Sequence, residues 1–325
     1  MRTKVMLCTV CALVVGAAPA QAAFPGKNGR IAVTSDRPSP YDRHVGDMDI
    51  WTFGPNGQHA RNLTPQSAGD DWHPRWSADG RRIAFTSNTG TGGDYEVFVM
   101  NADGSGRRQI TFNELDEDRP GWSPDGRRIV FDRWNGDADS DILTIRADGG
   151  GEINLTNGPG IMDRQPSWSP DGRVIAFSRD DHTGQFGNLW TVTPDGRHQR
   201  QLTFASTDEE APTWSPDGRR IAFNSDAGGD FDLWAMPAFA GAAPVNLSNA
   251  PASGDGGGAW SPDGRKLLFG SNRDDDGNPA DEDHDLYKMR ADGSHQRNIT
   301  RDEHFETSPD WQPLAWHERA EDDDD

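Results

Sequence analysis

Pro120-Gly121-Trp122-Ser123-Pro124-Asp125-Gly126-Arg127-Arg128-Ile129-Val130-Phe131 decides the fold, because close copies of it recur along the chain. Trp76, Trp122, Trp168, Trp214 and Trp260 stand 46 residues apart, and Trp311 follows after 51. A fixed period of this length marks a repeat architecture. After each of the first five tryptophans comes Ser-Pro-Asp-Gly or Ser-Ala-Asp-Gly, then arginine, then an apolar run such as Ile83-Ala84-Phe85. Proline at the second place and glycine at the fourth make a tight turn between two strands. A third strand is predicted at Val97-Phe98-Val99, Ile142-Leu143-Thr144, Leu189-Trp190-Thr191, Leu233-Trp234-Ala235 and Leu286-Tyr287-Lys288. Asp-Gly turns at 103–104, 148–149 and 292–293 lead to a short fourth strand, which closes each repeat at Leu63, Ile110, Leu155, Leu202, Leu247 or Ile299. Four antiparallel strands in about 45 residues form one blade of a β-propeller.

The ends of the chain complete one another. Asn28-Gly29-Arg30-Ile31-Ala32-Val33 matches the second-strand segment but has no tryptophan strand before it. Thr307 to Gln312 is a tryptophan strand with no second strand after it. The expectation is an all-β, six-bladed propeller of four-stranded antiparallel blades, closed by pairing the C-terminal strand with the N-terminal blade. Closure removes a sheet edge that would otherwise invite association.

Residues 1–22 read as a secretory leader: Arg2 and Lys4 open it, an apolar run spans Val5 to Gly16, and Ala20-Gln21-Ala22 is a small-x-small cleavage site. Both cysteines, Cys8 and Cys11, lie inside it. The expected organisation is therefore leader 1–22, propeller 23–315 and acidic tail 316–325, in a protein that is exported to a periplasmic or extracellular space. A mature chain without cysteine draws its stability from packing or bound ions rather than disulfides.

The chain has 53 Asp and Glu against 32 Lys and Arg, a net charge of −21. That balance repels phosphate backbones and excludes a nucleic-acid binder. No apolar run of membrane-spanning length lies beyond the leader. The 37 glycines and 22 prolines fit a turn-rich fold, and the 12 tryptophans argue against disorder.

The Pro-x-Trp-Ser-Pro-Asp-Gly-x-x-Ile-Ala-Phe signature resembles the WD40-like, TolB-type propeller repeat known as PD40. The resemblance runs from Phe24 to about Pro313. TolB itself carries an α/β domain ahead of its propeller, whereas here the first repeat directly follows the leader. The propeller of TolB docks the lipoprotein Pal, so the resemblance implies a protein or peptide partner over the channel mouth. A monomer with no membrane insertion is expected.

Two families of candidate site residues emerge. Five residues before each tryptophan stands an acid: Asp71, Glu117, Asp163, Glu209, Asp255 and Glu306. This position should lie at one rim of the channel. Two carboxylates about 8 Å apart repel by roughly 2 kcal/mol at an effective dielectric of about 20. Such a ring is either satisfied internally, tying its loops to neighbouring blades, or it holds a cation, a basic peptide or a partner protein. Arg119, Arg164 and His73 fall near the same rim. The tryptophans themselves read as packing between blades, and the Ser-Pro-Asp-Gly aspartates as turn formers at the opposite face.

The second family is the acidic loops between strands two and three: 132–141, 180–181, 226–232 and 274–285. The bland reading is that they are solvated. Asp137, Asp139 and Asp141 alternate, and Asn272, Asp274, Asp276 and Asp283 have the spacing of a degenerate Ca²⁺ loop, with Gly277 at its sixth place. The alternative function is a metal-assisted lyase or hydrolase acting on an extracellular polymer such as a polysaccharide. The histidines at 44, 73, 182, 284 and 304 are scattered over different repeats without ligand spacing, those at 59, 198 and 295 fall on the turns before strand four, and there is no Gly-x-Ser-x-Gly elbow. No catalytic residue is assigned, and the favoured reading is a non-catalytic binding propeller.

Overall fold

The computed structural model describes residues 24–38, 47–65, 67–90, 92–136, 139–180, 187–250, 253–273, 284–301 and 304–315. The predicted leader and acidic tail lie outside them. Every regular element among the described residues is a strand. The first group is β1 (Lys27–Ser35), β2 (Asp49–Phe53) and β3 (Arg61–Asn62). Next come β4 (Asp71–Trp76), β5 (Arg82–Ser87), β6 (Glu96–Asn101) and β7 (Arg108–Gln109), then β8 (Glu117–Trp122), β9 (Arg128–Trp134), β10 (Ser140–Arg146) and β11 (Ile153–Asn154). The fourth group is β12 (Met162–Trp168), β13 (Ile175–Asp180), β14 (Asn188–Val192) and β15 (Arg200–Gln201). The fifth is β16 (Glu209–Trp214), β17 (Arg220–Ser225), β18 (Asp232–Pro237) and β19 (Val245–Asn246). Last are β20 (Asp255–Trp260), β21 (Lys266–Ser271), β22 (Asp285–Arg290), β23 (Arg297–Asn298) and β24 (Glu306–Leu314).

Four sheets are four-stranded antiparallel meanders: β4–β7, β16–β19, β20–β23, and β24-β1-β2-β3. A fifth sheet has eight strands, because β8–β11 and β12–β15 are joined by one parallel bridge, Ser140 to Met162. The architecture is a β-propeller of antiparallel four-stranded blades. In the composite sheet β24 pairs with β1, Trp311 opposite Ile31 and Asp310 opposite Ala32, so the last strand fills the inner place in the first blade. No helix among the described residues is long and apolar enough to cross a membrane.

The core lies between blades. Trp76 packs against Ala32, Ile50 and Leu63 of one sheet and Ile83 and Phe85 of the next. Trp168, Trp214, Trp260 and Trp311 each anchor an equivalent cluster, and Trp122 does the same between β4–β7 and β8–β11. Each indole is large enough to reach both layers, which is why the repeat keeps tryptophan there. Arg82 stacks 4.4 Å over Trp122, and Arg220 does the same over Trp260. These contacts add a cation–π link across the blade interface.

The Ser-x-Asp-Gly turns are self-contained. In the third repeat the Ser123 hydroxyl donates to Asp125 Oδ1 at 2.7 Å, and Asp125 Oδ1 also accepts the Arg127 amide at 3.0 Å. Gly126 donates to the Ser123 carbonyl with φ +65°, a left-handed conformation that glycine adopts without strain.

The acidic loops differ at their ends from the solvated reading. Asp132, Asp141, Asp232 and Asp285 fall inside strands and are buried. Asp141 accepts Asn135 Nδ2 at 2.9 Å, Asn154 Nδ2 at 2.8 Å, and the Thr156 hydroxyl and Gly158 amide at 3.2 Å. Asp49, Asp232 and Asp285 grip the Asn and the Thr or Ser of their own fourth strands in the same way. A carboxylate at the start of strand three thus holds a two-residue outer strand that few backbone bonds would keep.

Candidate functional site

Five of the six acids before the tryptophans open the inner strands β4, β8, β16, β20 and β24, Asp163 is the second residue of β12, and all six are buried, none more than 3% exposed. Five of them meet an arginine. Arg107 pairs with Asp71 at 3.0 Å, Arg133 with Glu117 at 2.5 Å, and Arg179 with Asp163 at 2.6 Å. Arg273 pairs with Asp255 at 2.5 Å, and Arg37 with Glu306 at 2.7 Å. The guanidinium comes from three different places. Arg133 and Arg179 stand directly across the ladder from their acids, whereas Arg37 and Arg273 lie two residues beyond that place, and Arg107 precedes the fourth strand. Each also covers an aromatic ring of its own blade at 4.7–5.5 Å. Burial would otherwise make ionised carboxylates very costly, and charge-assisted pairs offset that cost. Glu209 meets no arginine among the described residues, and its Oε2 has no hydrogen-bond partner. Burial pushes its carboxyl up, the Thr203 hydroxyl opposes this, and Asp226 adds to it.

The central cavity is about 460 Å³ and is walled by the six inner strands. Of the six acids only Asp255 reaches its wall. The rest lie beneath the surface, all but Glu209 held by an arginine. The wall draws instead on the residue three before every tryptophan, with the residue four before it in four repeats and the residue one before it in five. Three before, the backbone is left-handed in every repeat: His73 (φ 54°), Arg119 (48°), Gln165 (59°), Ala211 (51°), Gly257 (69°) and Ser308 (54°). A non-glycine residue there stores strain of order 1 kcal/mol. The cause is a bulge, seen as a register shift between Asp118 and Gly121 and at the matching place in the other blades. The bulge turns the amide toward the second strand of the preceding blade. His73 N–H donates to Thr34 Oγ1 at 3.1 Å, Gln165 N–H to Asp132 Oδ1 at 2.9 Å, and Ala211 N–H to Ser178 Oγ at 3.2 Å.

Within this regular frame the side chains change from repeat to repeat. Four before the tryptophan they run Trp72, Asp118, Arg164, Glu210, Gly256 and Thr307. The second-strand position beneath them runs Thr34, Thr86, Asp132, Ser178, Asn224 and Gly270. Only the third copy places a carboxyl there. Asp132 is fully buried, its Oδ2 has no hydrogen-bond partner, and burial with the nearby Asp118 carboxylate pushes it up to about 7. Asp118 accepts from His73 Nδ1 at 2.6 Å and from the Arg119 amide at 2.8 Å. Burial works to raise the Asp118 carboxyl, but His73 and Arg119 outweigh it and hold it below the usual carboxylate range. Burial also lowers His73, which fits a neutral ring donating Nδ1–H to the carboxylate. Across the cavity burial lifts Asp310 to about 6 against the opposing pull of Arg75.

Of these residues in and beneath the wall, the sequence reading singled out Arg119, Arg164 and His73. The signal that finds the rest is variation: positions where one repeat departs from its siblings while the framework stays fixed. His284 lies in the cavity wall, edge-on to Phe305 at 4.8 Å, and His304 approaches Asp36 at 3.7 Å. Of the Ca²⁺ loop, Asn272 is described and accepts the Gly254 amide at 2.6 Å, whereas Asp274, Asp276 and Asp283 lie outside the described residues. His44 and His182 lie outside them too. Among the described residues no three His, Asp or Glu are grouped to hold a metal ion.

A family profile described as the TolB beta propeller domain, PD40, matches residues 22–215. No curated protein matches the chain. Among solved structures, TolB from Acinetobacter baumannii superposes with a TM-score of 0.71 at 21% identity, covering 89% of this chain and 68% of that one. A putative TolB from Agrobacterium tumefaciens gives 0.63 at 20% identity, covering 88% and 99%. An oligogalacturonate lyase from Vibrio parahaemolyticus gives 0.54 at 14% identity, covering 86% and 77%. At these identities the likeness is one of fold.

Proposed function

We propose, from the premise that this chain belongs to the TolB beta propeller domain family, that it is an exported binding propeller whose central channel takes up a segment of a protein or peptide. Counting the two halves of the eight-stranded sheet as separate blades gives six blades, and six interblade clusters agree with that count. The observation that carries the binding reading is the channel wall. Its backbone bulge serves the frame in every repeat, but the side chains that the bulge presents differ in every repeat, and framework packing does not ask for that. A cavity of about 460 Å³ falls in the size range of ligand pockets. Trp72 offers an apolar face, Arg75 and Arg119 offer cations, and Glu210 and Asp310 offer acids. Such a wall suits a short segment of mixed charge more than a uniformly cationic ligand.

The site therefore moves from the acidic rim to the wall, because five of the rim acids are already neutralised within the protein. The protein acts in a periplasmic or extracellular space as a monomer: closing the seam leaves only two-residue outer strands at the sheet edges, too short to template association. The alternative, a metal-assisted enzyme on an extracellular polymer, draws on three convergent ligands, which the described residues do not group.

A photo-crosslinking residue in place of Trp72, compared with one in place of the exposed Phe239, tests the proposal in the producing cell. The expected result is a discrete protein adduct at position 72 that is missing at 239 and weakened by Arg119→Ala. The same adducts at both positions, or none at 72, would sink it.

A further inference from the structure

The Glu209 blade repeats a socket that the other blades fill with their own arginine. We infer that this socket takes the guanidinium of an arginine presented by a partner protein or peptide. The inference goes beyond the channel reading above: it names the chemical group a partner brings to a site separate from the channel wall.

In three blades an acid, a phenylalanine of the second strand and an aromatic residue of the third surround one guanidinium. Arg107 lies 5.2 Å from Phe85 and 4.8 Å from Phe98, and it holds Asp71. Arg179 lies 5.2 Å from Phe177 and 4.7 Å from Trp190, and it holds Asp163 through both carboxylate oxygens. Arg273 lies 5.3 Å from Phe269 and 4.9 Å from Tyr287, and it holds Asp255. The Glu209 blade keeps the acid and both rings. Phe223 pairs with Trp234 across the ladder, as Phe85 does with Phe98, Phe177 with Trp190 and Phe269 with Tyr287.

What differs is the source of the cation. The three places that supply an arginine elsewhere hold other residues here. Ser225 stands across from Glu209, Ala227 stands two residues beyond it, and Pro244 precedes the fourth strand. Glu209 is 3% exposed, and its Oε2 is buried without a hydrogen-bond partner. A buried, unpaired carboxyl oxygen costs free energy that an incoming donor recovers. One further acid favours a cation: the Asp226 carboxylate, which accepts the Asp208 amide at 2.9 Å, acts on Glu209. Access follows from the siblings, where the filling arginines keep 12–26% of their side-chain surface in solvent. Arginine fits better than lysine because a planar fork both pairs with a carboxylate and stacks on rings.

The test uses N-acetyl-arginine amide as probe and N-acetyl-lysine amide as control, titrated into the full mature protein. The Trp234 indole N–H is followed by NMR and assigned with Trp234→Phe. The expected result is a saturable shift with the arginine probe in the millimolar range, at least about tenfold weaker in Glu209→Gln. A second variant, Ala227→Arg, places an internal arginine where Arg37 and Arg273 stand in their blades. It should abolish probe binding and raise the melting temperature by about 2–4 °C over Ala227→Gln. That gain should vanish when Glu209→Gln is added. Equal response to both probes, or an Ala227→Arg gain that persists without Glu209, would overturn the assignment. A free probe reports on the socket even where the channel captures nothing, so failure of this site and failure of the channel reading are separable.

Discussion

At the scale of the residue, the repeats work as internal controls. Position 132 has Thr34, Thr86, Ser178, Asn224 and Gly270 as siblings, all uncharged. A buried carboxyl there binds a proton in the native state that the unfolded chain releases, because its pKa rises to about 7 from an ordinary value near 3.8. Stability then falls as pH climbs from about 4 to about 7, where the unfolded chain ionises and the native state resists. Asp132→Asn, which copies Asn224 and keeps an acceptor for the Gln165 amide, removes that liability. It should exceed the parent in stability by on the order of 2 kcal/mol at pH 8 and match it near pH 4. Denaturant unfolding at the two pH values measures this. Equal stability at both would mean that Asp132 is ionised and held in place by Arg119 and Arg164. The sequence displayed the departure at 132, but composition hid it by grouping Asp132 with the loop acids that follow.

At the scale of the element, the strands were legible because each carries its own punctuation. Tryptophan, Ser-x-Asp-Gly and the apolar run mark three strands, and hydrophobic alternation places their inner faces. The fourth strand is only two residues long in the five repeats after the first, as it also is in the first. Its anchor, the acid that opens strand three, was not legible. Asp139 and Asp141 look alike in sequence, and only the register of β10 on β9 buries one of them. Asp141→Ala strips partners from two asparagine amides, a hydroxyl and a backbone amide. The expected cost is about 2–3 kcal/mol, concentrated locally. Hydrogen exchange should show the Leu155 amide, which bonds to the Ile142 carbonyl, exchanging much faster while the Phe131 and Phe177 amides stay protected. Uniform acceleration across the sheet, or none, would show that the carboxylate is not the local anchor. The partners of the rim acids were not legible for a related reason. The spacing of the six acids was plain, but the arginines that meet five of them come from three different offsets, which no single periodicity reveals.

At the scale of the whole molecule, the seam between β24 and β1 decides how stability is shared. An open array of repeats has end units with one neighbour, so its ends fray and substitutions there cost less. A closed ring has no end. Trp311, on the seam strand, packs against Ile31, Val33 and Phe53 on one side and Leu268 and Leu286 on the other. Trp214, far from either terminus in sequence, packs between Ala176, Leu189 and Leu202 and its own sheet's Ile221 and Phe223. Neither indole nitrogen has a hydrogen-bond partner, so the two differ in place and little in chemistry. Trp311→Ala and Trp214→Ala should therefore each cost about 3–5 kcal/mol, the usual range for a buried tryptophan. Both should still unfold in one calorimetric transition, because an interface opened anywhere in a ring exposes the two blades beside it and the loss propagates. If Trp311→Ala instead released a separate low-temperature transition while Trp214→Ala did not, the seam would be a frayed end. The propeller, which has no cysteine beyond Cys11, would then be held by its middle repeats and not by closure.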